Sequence, residues 1–408
     1  MLFISDPVMF IANWLQSFLL GWGLPKELVV AILSFIGSSM IAVVMLCLVV
    51  ALIIMERKLG GRFQGRFGPN RVGPYGLLQT IPDMIKIFTK EYITPQGADI
   101  IIYNLAPILI TSAVLLIWAV VPYTSSVVGA DVNVGVLYLI AVGSFGTLAI
   151  LMAGWSSNNK YALMGAFRTV AQMISYEVPM VLVLLIPVIF TGSMGINDIV
   201  KAQTVWFILL SPLSALIFFI AAQAEVARAP FDLLEAESEI VAGFHIEYSG
   251  LKFGFFYVAE FLHSFTMSAL VATLFLGGWQ GPWVEAFPVL GFFYFSIKAF
   301  IVYFLVLWVR FSLPRVRIDQ MMDFCWKALI PVSLTLVMVT AIVQKLLVGA
   351  GAALPIQVAV HLMVNIAITW ITVQIMLAKQ ARKPRRKPVA DIRPVAVGSP
   401  STPSTKSV

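Results

Sequence analysis

From Val29 to Met55 the chain runs 27 residues without a charged side chain, and similar apolar runs recur as far as Leu377. About 20 such residues, coiled as a helix, cross a bilayer. Backbone placed in lipid must satisfy its own N–H and C=O groups, which leaves helices and closed barrels. Barrel strands alternate apolar and polar residues, whereas these runs are continuously apolar. The sequence therefore predicts an all-α polytopic membrane protein with about nine transmembrane helices. They are read at 29–55, 103–122, 134–154, 164–190, 204–226, 255–277, 288–310, 328–348 and 354–378. Only 12% of the 408 residues are charged, against about 25% in soluble domains. Residues 1–378 thus read as one transmembrane domain from which no soluble unit can be cut. Residues 379–408 read as a basic juxtamembrane segment, suited to anionic headgroups, followed by a disordered cytoplasmic tail.

The basic residues predict an orientation. Of 27 lysines and arginines, 23 fall on one side of the nine spans, and Lys26, Lys201 and Lys345 on the other. Lys298 lies inside a span. The positive-inside rule puts the N-terminus outside and the C-terminus in the cytoplasm, and an odd number of spans agrees. Residues 1–24 lack a basic leader, so no cleavable signal is expected. Pro7 to Leu20 places Phe10, Trp14 and Phe18 on one face, as in an interfacial helix. No internal repeat is visible, which argues against a stand-alone secondary transporter.

Redox chemistry is expected to belong to partners. Cys47 and Cys325 are the only cysteines, too few for an iron–sulfur cluster, and membrane depth argues against joining them. His245, His263 and His361 are too scattered to suggest a haem pair. No dinucleotide-binding glycine fingerprint and no P-loop occur. No metal or covalent cofactor is expected in this chain, and no nucleic-acid partner.

Three connections carry more information than linkers need. The first, Glu56 to Glu91, reads ERKLGGRFQGRFGPNRVGPYGLLQTIPDMIKIFTKE. Its Gly and Pro residues impose defined turns, among which arginines are able to line a polar pocket. Membrane anchoring is the plainer reading for each arginine. Leu77, Leu78, Ile81, Met84, Ile85 and Phe88 then follow helical spacing, predicting an amphipathic interfacial helix. The second connection, Glu225 to Gly250, contains APFDLLEAESE. Pro230 suits a helix start, and Asp232, Glu235 and Glu239 would share a face. Like charges at that spacing repel and raise carboxylate pKa values toward neutrality, which suits proton uptake. A solvated acidic face is the alternative. In the third, RFSLPRVRIDQMMDFCWKALIP, Arg310 and Arg315 flank a short Pro-containing turn.

Charges also occur inside spans. Glu177 falls near mid-bilayer, where a charge costs about 2.5–3.5 kcal/mol even on lenient scales. Glu225 and Glu260 lie near the cytoplasmic ends of theirs, and Lys298 near the centre of the seventh. A function in charge movement is favoured for Glu177, and a structural pair with Lys298 is the alternative.

Together the segments ERK…GPNRVGPYGLLQ, APFDLLEAESE…EYSG and LPRVRIDQMM…WK resemble those of one family over residues 1–380. It is the family of the H subunit of bacterial NADH-quinone oxidoreductase (complex I), the counterpart of mitochondrial subunit 1. Pro82, Phe311-Ser312 and Ile318 depart from the family pattern without touching a charged position. The resemblance implies a multi-pass protein of the bacterial cytoplasmic membrane that couples quinone reduction to proton translocation. It would join the redox arm to the membrane arm. Its substrate would be a quinone, ubiquinone or menaquinone, with lipid at the entrance. NADH, FMN and iron–sulfur clusters would stay in partner subunits. Those partners would be the peripheral iron–sulfur and quinone-site subunits, and small and antiporter-like membrane subunits. The resemblance assigns Glu56, Arg57, Asp83, Lys86, Arg310 and Arg315 to the quinone chamber. It assigns Arg228, Asp232, Glu235, Glu237, Glu239 and Glu247 to the region below it, and Glu225, Glu260 and Glu177 to a charge relay. A related membrane component of a hydrogenase or another electron-input complex is the nearest alternative.

Overall fold

The computed structural model describes residues 7–232 and 243–382, and among these every named element is helical. An N-terminal helix α1 (Pro7–Gly21) precedes α2 (Lys26–Phe63). A short amphipathic α3 (Thr80–Thr89) leads to α4 (Ile100–Ile117), α5 (Gly135–Ser156) and α6 (Lys160–Thr191). Two short helices, α7 (Ile196–Ala202) and α8 (Phe207–Leu210), precede α9 (Pro212–Glu225). Next come α10 (Gly250–Phe275), α11 (Pro288–Ser312), α12 (Ile318–Gly349) and α13 (Leu354–Arg382).

Eight of these helices are long and apolar enough to cross a membrane. The span expected at 204–226 differs, because it is divided into α8 and α9. At the junction Ser211 has φ −140° and ψ 75°, and Pro212 has no N–H with which to continue the ladder. The broken segment still traverses the bundle. Trp206 lies under Lys298 Nζ at one end, and Glu225 and Arg228 lie at the other. The break is held by α13: Asn365 Nδ2 donates to the Leu210 carbonyl at 3.3 Å, and Ser211 Oγ bonds Asn365 Oδ1 at 3.0 Å. Prolines in spanning helices are tolerated where neighbours satisfy the freed groups in this way.

α10 is the most enclosed crossing, packed between α4, α11, α2 and α9. Its stretch from Ser264 to Phe275 is buried throughout, and the main core forms around it with Trp118, Tyr176, Phe218 and Tyr303. Outward faces such as Phe35, Met40 and Val43 on α2 remain apolar and exposed. That is the inverse of a soluble protein and the pattern expected of a helix facing lipid.

The connections sort to two ends. The segments after α2, α5, α9 and α11 meet at one, as the Asp99 N–H to Ser156 carbonyl bond (3.1 Å) and the Ile93 N–H to Ser249 Oγ bond (3.0 Å) show. This end carries the basic loops. α2 contains 38 residues, about 57 Å at 1.5 Å per residue, so it outruns the hydrocarbon core and carries Glu56 and Arg57 into this end. The following loop folds back tightly. Gly76 has φ 74° and a Cβ there would sit 2.1 Å from the Pro69 carbonyl oxygen, so no other residue fits. The amphipathic helix expected after Pro74 begins at Thr80, after a single 3₁₀ turn at Pro74–Gly76.

Cys325 is buried in a π-helical turn, Cys325–Leu329, within α12, and its thiol donates to the Ser175 carbonyl. The spanning part of α13, Leu354–Ala378, matches the span expected at 354–378, and the helix itself continues to Arg382.

Candidate functional site

Four segments distant in sequence deliver one ionic network. The end of α2 brings Glu56, the loop after α9 brings Arg228, α10 brings Glu260, and the end of α11 brings Arg310. Glu56 is 8% exposed. Its Oε2 accepts from Arg228 Nη1 at 2.5 Å, and its Oε1 accepts from Arg310 Nη1. Arg228 is 1% exposed, donates through Nε to Glu260 Oε1 at 3.2 Å, and stacks 4.6 Å over the Phe261 ring. Burial opposes its charge, but the carboxylates of Glu56 and Glu260 outweigh that and hold its pKa above the ordinary arginine value. Two guanidinium groups thus face two carboxyl groups within one network.

Backbone anchors fix Arg228 in place. Gln172 Nε2 donates to the carbonyls of Ala224 (2.7 Å) and Phe231 (2.9 Å), bracketing the turn. Gln223 Nε2 donates to the Ala229 carbonyl, and the Val316 N–H donates to the Pro230 carbonyl, both at 2.9 Å. Ala227 is left-handed, with φ 55°, a conformation that costs a non-glycine residue energy and turns the chain so that Arg228 enters the bundle.

Outside this network lies a second layer. Arg57 pairs with Asp83 of α3 and is half exposed. Lys86 and Arg315 are exposed, and neither forms an ion pair among the described residues. α3 is seated against α10 where Gly254 leaves room, since a Cβ there would meet Ile87 at 2.9 Å. The residues assigned by resemblance to one chamber thus occupy two layers. Glu56 and Arg310 share the inner one with Arg228 and Glu260, which the resemblance assigns to the region below and the relay.

Two adjoining cavities continue inward. The first, a partly open cavity of about 70 Å³, is lined by Glu225, Glu260, His245 and His263 among apolar residues of α4, α5 and α10. The second, about 30 Å³, is lined by Glu177 and Glu225 among apolar residues. Ile117, Gly143 and Glu225 belong to both walls. The Glu225 side chain is 3% exposed, with Oε1 3.7 Å from His263 Nε2. Its Oε2 has no hydrogen-bond partner among the described residues.

The pairing of Glu177 with Lys298 is overturned. Lys298 Nζ donates to the carbonyls of Gly278 (3.0 Å) and Gln280 (2.8 Å) and lies over Trp206, all at the end remote from the basic loops. The long lysine stem lets the ammonium reach that end although its Cα lies well inside the span. Glu247 is a tether: Asn159 Nδ2 donates to its Oε1, and the Tyr103 hydroxyl to its carbonyl, both at 2.7 Å. Asp232 closes the described part of its loop, and Glu235, Glu237 and Glu239 lie outside the described residues. His245, in the 3₁₀ turn Gly243–His245, is pushed down to about 4 by burial.

The histidines give little away in sequence because they are scattered. His263 carries one usable signal: it follows Glu260 by three residues, so the two share a helical face.

The NADH dehydrogenase family profile matches residues 36–341. A Dehalococcoides mccartyi protein, named as the H subunit of NADH-quinone oxidoreductase, is 51% identical over 322 residues, covering 79% of this chain and 88% of its own length. Proteins of the same name from Anoxybacillus flavithermus and Geobacillus kaustophilus are each 48% identical. The first aligns over 320 residues (78% of this chain, 95% of the relative) and the second over 334 (81% and 98%).

Proposed function

Since this chain belongs to the NADH dehydrogenase family, as a multi-pass membrane subunit of an NADH-quinone oxidoreductase, we propose that it forms the wall of the quinone chamber and passes the charge of quinone reduction into the membrane. The observation that carries this reading is that Glu56 and Glu260 are held by the same arginine, Arg228. A charge change at the chamber end is thereby felt at the carboxylate that opens onto the first cavity.

Quinone reduction consumes two electrons and two protons. The electrons come from an iron–sulfur subunit of the partner redox arm, which also holds NADH and FMN. This chain supplies positioning and protons. Arg57, Asp83, Lys86 and Arg315 form the outer wall facing the quinone head group, with Glu56 and Arg310 behind them. By the resemblance, Arg228, Asp232, Glu235, Glu237, Glu239 and Glu247 belong to the start of the relay, below the chamber. It continues along Glu260, Glu225 and Glu177 toward antiporter-like membrane subunits. The basic loops face the cytoplasm of a bacterial cell, where the redox arm docks, and the N-terminus lies outside.

The test is a pair of measurements on the assembled complex. Glu225→Gln is expected to suppress proton pumping and quinone reduction while NADH still reduces an artificial acceptor at the upstream redox arm. Unchanged pumping in that variant refutes the relay.

A further inference from the structure

We propose that His263 is a proton-carrying member of the route, bridging Glu260 to Glu225. The inference rests on the relay reading above and adds a residue of different chemistry to it.

Glu260 and His263 are three residues apart on α10 and line the same cavity, so a single helical turn separates their side chains. Glu260 is tied to the chamber network through Arg228. His263 Nε2 lies 3.7 Å from Glu225 Oε1, just beyond hydrogen-bond reach, and Glu225 lines both cavities. Both ring nitrogens of His263 are buried without a hydrogen-bond partner among the described residues, as is Glu225 Oε2. Buried polar atoms of this kind are ordinarily satisfied by protein or ordered water. An unpartnered imidazole nitrogen 3.7 Å from a carboxylate oxygen, on a cavity that both residues line, is placed to exchange partners with it.

Imidazole suits the position because one nitrogen can take a proton while the other releases one. In the forward step a proton leaves the Glu260 carboxyl and, through water in the cavity, binds His263 Nδ1. Glu260 becomes a carboxylate and His263 an imidazolium. The proton on Nε2 then passes to Glu225 Oε1, leaving neutral imidazole and a neutral Glu225 carboxyl. No charge is created or lost, and the net result is one proton moved from Glu260 to Glu225. A carboxylate alone at this place would bring a third negative charge into the cavity. A fixed cation would hold Glu225 ionised and stop the exchange.

The test uses the purified whole complex in proteoliposomes, with NADH as donor and a short-chain quinone as acceptor. Quinone reduction and vesicle acidification are followed together. His263→Gln is expected to lose most of the acidification and to show a larger solvent deuterium isotope effect than the unaltered complex. Added imidazole should restore acidification in His263→Ala. A static role as counter-charge for Glu225 makes the opposite forecast: His263→Arg would pump normally. Normal pumping by either His263→Gln or His263→Arg overturns the proposal. If His263→Gln fails to assemble, loss of pumping in an assembled His263→Arg complex still supports it. Glu225→Gln, run in parallel, separates the two ideas. Loss there with normal pumping in His263→Gln removes His263 alone, whereas normal pumping in Glu225→Gln removes the relay itself.

Discussion

The guanidinium of Arg228 meets the carboxylate of Glu56 at 2.5 Å across 172 positions of sequence, with neither side chain appreciably exposed. Taking two charges out of water costs several kcal/mol per ion before their attraction returns any of it. The pair survives because Arg310 and Glu260 complete the network.

Removing one member strands the rest. Arg228→Ala is expected to destabilise the protein by about 3–5 kcal/mol, the usual cost of leaving a buried charge uncompensated. Arg228→Lys should recover only part of this, since an ammonium lacks the planar fork that reaches both Glu56 and Glu260. Thermal unfolding of the detergent-solubilised complex measures both. A melting temperature unchanged in Arg228→Ala contradicts the network's role.

At the outer wall, Arg57→Ala should lower quinone reductase activity while the same complex reduces an artificial acceptor from NADH at the normal rate. Equal loss of both activities would mean failed assembly and leave Arg57 only an anchoring role. Arg57→Lys should also be impaired if the pairing with Asp83 needs the guanidinium geometry.

Glu177→Asp should keep more pumping-coupled turnover than Glu177→Gln, because it keeps a titratable group beside the second cavity. Adding Lys298→Met to Glu177→Gln should restore nothing, since Lys298 is bound to the Gly278 and Gln280 carbonyls at the other end. Recovery of pumping in that double variant would show the two residues to be coupled after all.

Acid should loosen the segment around His245. Burial lowers its pKa from 6.5 to about 4, so the unfolded segment binds a proton in a range where the folded one does not. Its stabilising contribution is complete above about pH 6.5 and shrinks as pH falls toward 4. Hydrogen exchange of residues 243–249, corrected for intrinsic rates, should show protection falling across that window, and His245→Gln should abolish the fall. Protection that stays flat in the unaltered protein would refute it.

Asn365→Leu is expected to cost about 1–3 kcal/mol, because the Leu210 carbonyl and the Ser211 hydroxyl lose a buried partner. Asn365→Asp, which keeps an acceptor for Ser211 but no donor for Leu210, should not be neutral. Comparison of the two by thermal unfolding apportions the loss, and a neutral Asn365→Leu would dismiss the contact.

Much of the fold was legible because lipid simplifies the reading: long apolar runs have few ways to exist there. Glu177, Glu225 and Glu260 stood out for the related reason that a charge entering such a run is costly, whereas Glu56 was marked only by the resemblance. The missed features depend on partners far away in sequence. The run at 204–226 looks continuous until Asn365 is known to hold its break. Lys298 looks central until its stem is seen to carry the ammonium to one end. Arg228 looks like one loop arginine among several, since nothing local reveals two carboxylates arriving from other helices. The π turn at Cys325–Leu329 has no composition that marks it.

The division of the fifth crossing at Ser211 also bears on how the protein is made. α9 has 14 residues, about 21 Å of helix, short of the roughly 30 Å of hydrocarbon a crossing must traverse. Neither it nor α8 is a self-sufficient unit for partition into lipid as the chain leaves the insertion machinery. The side chain that caps the gap belongs to α13, synthesised 155 residues later. The packing that satisfies the break is thus complete only once α13 is in place.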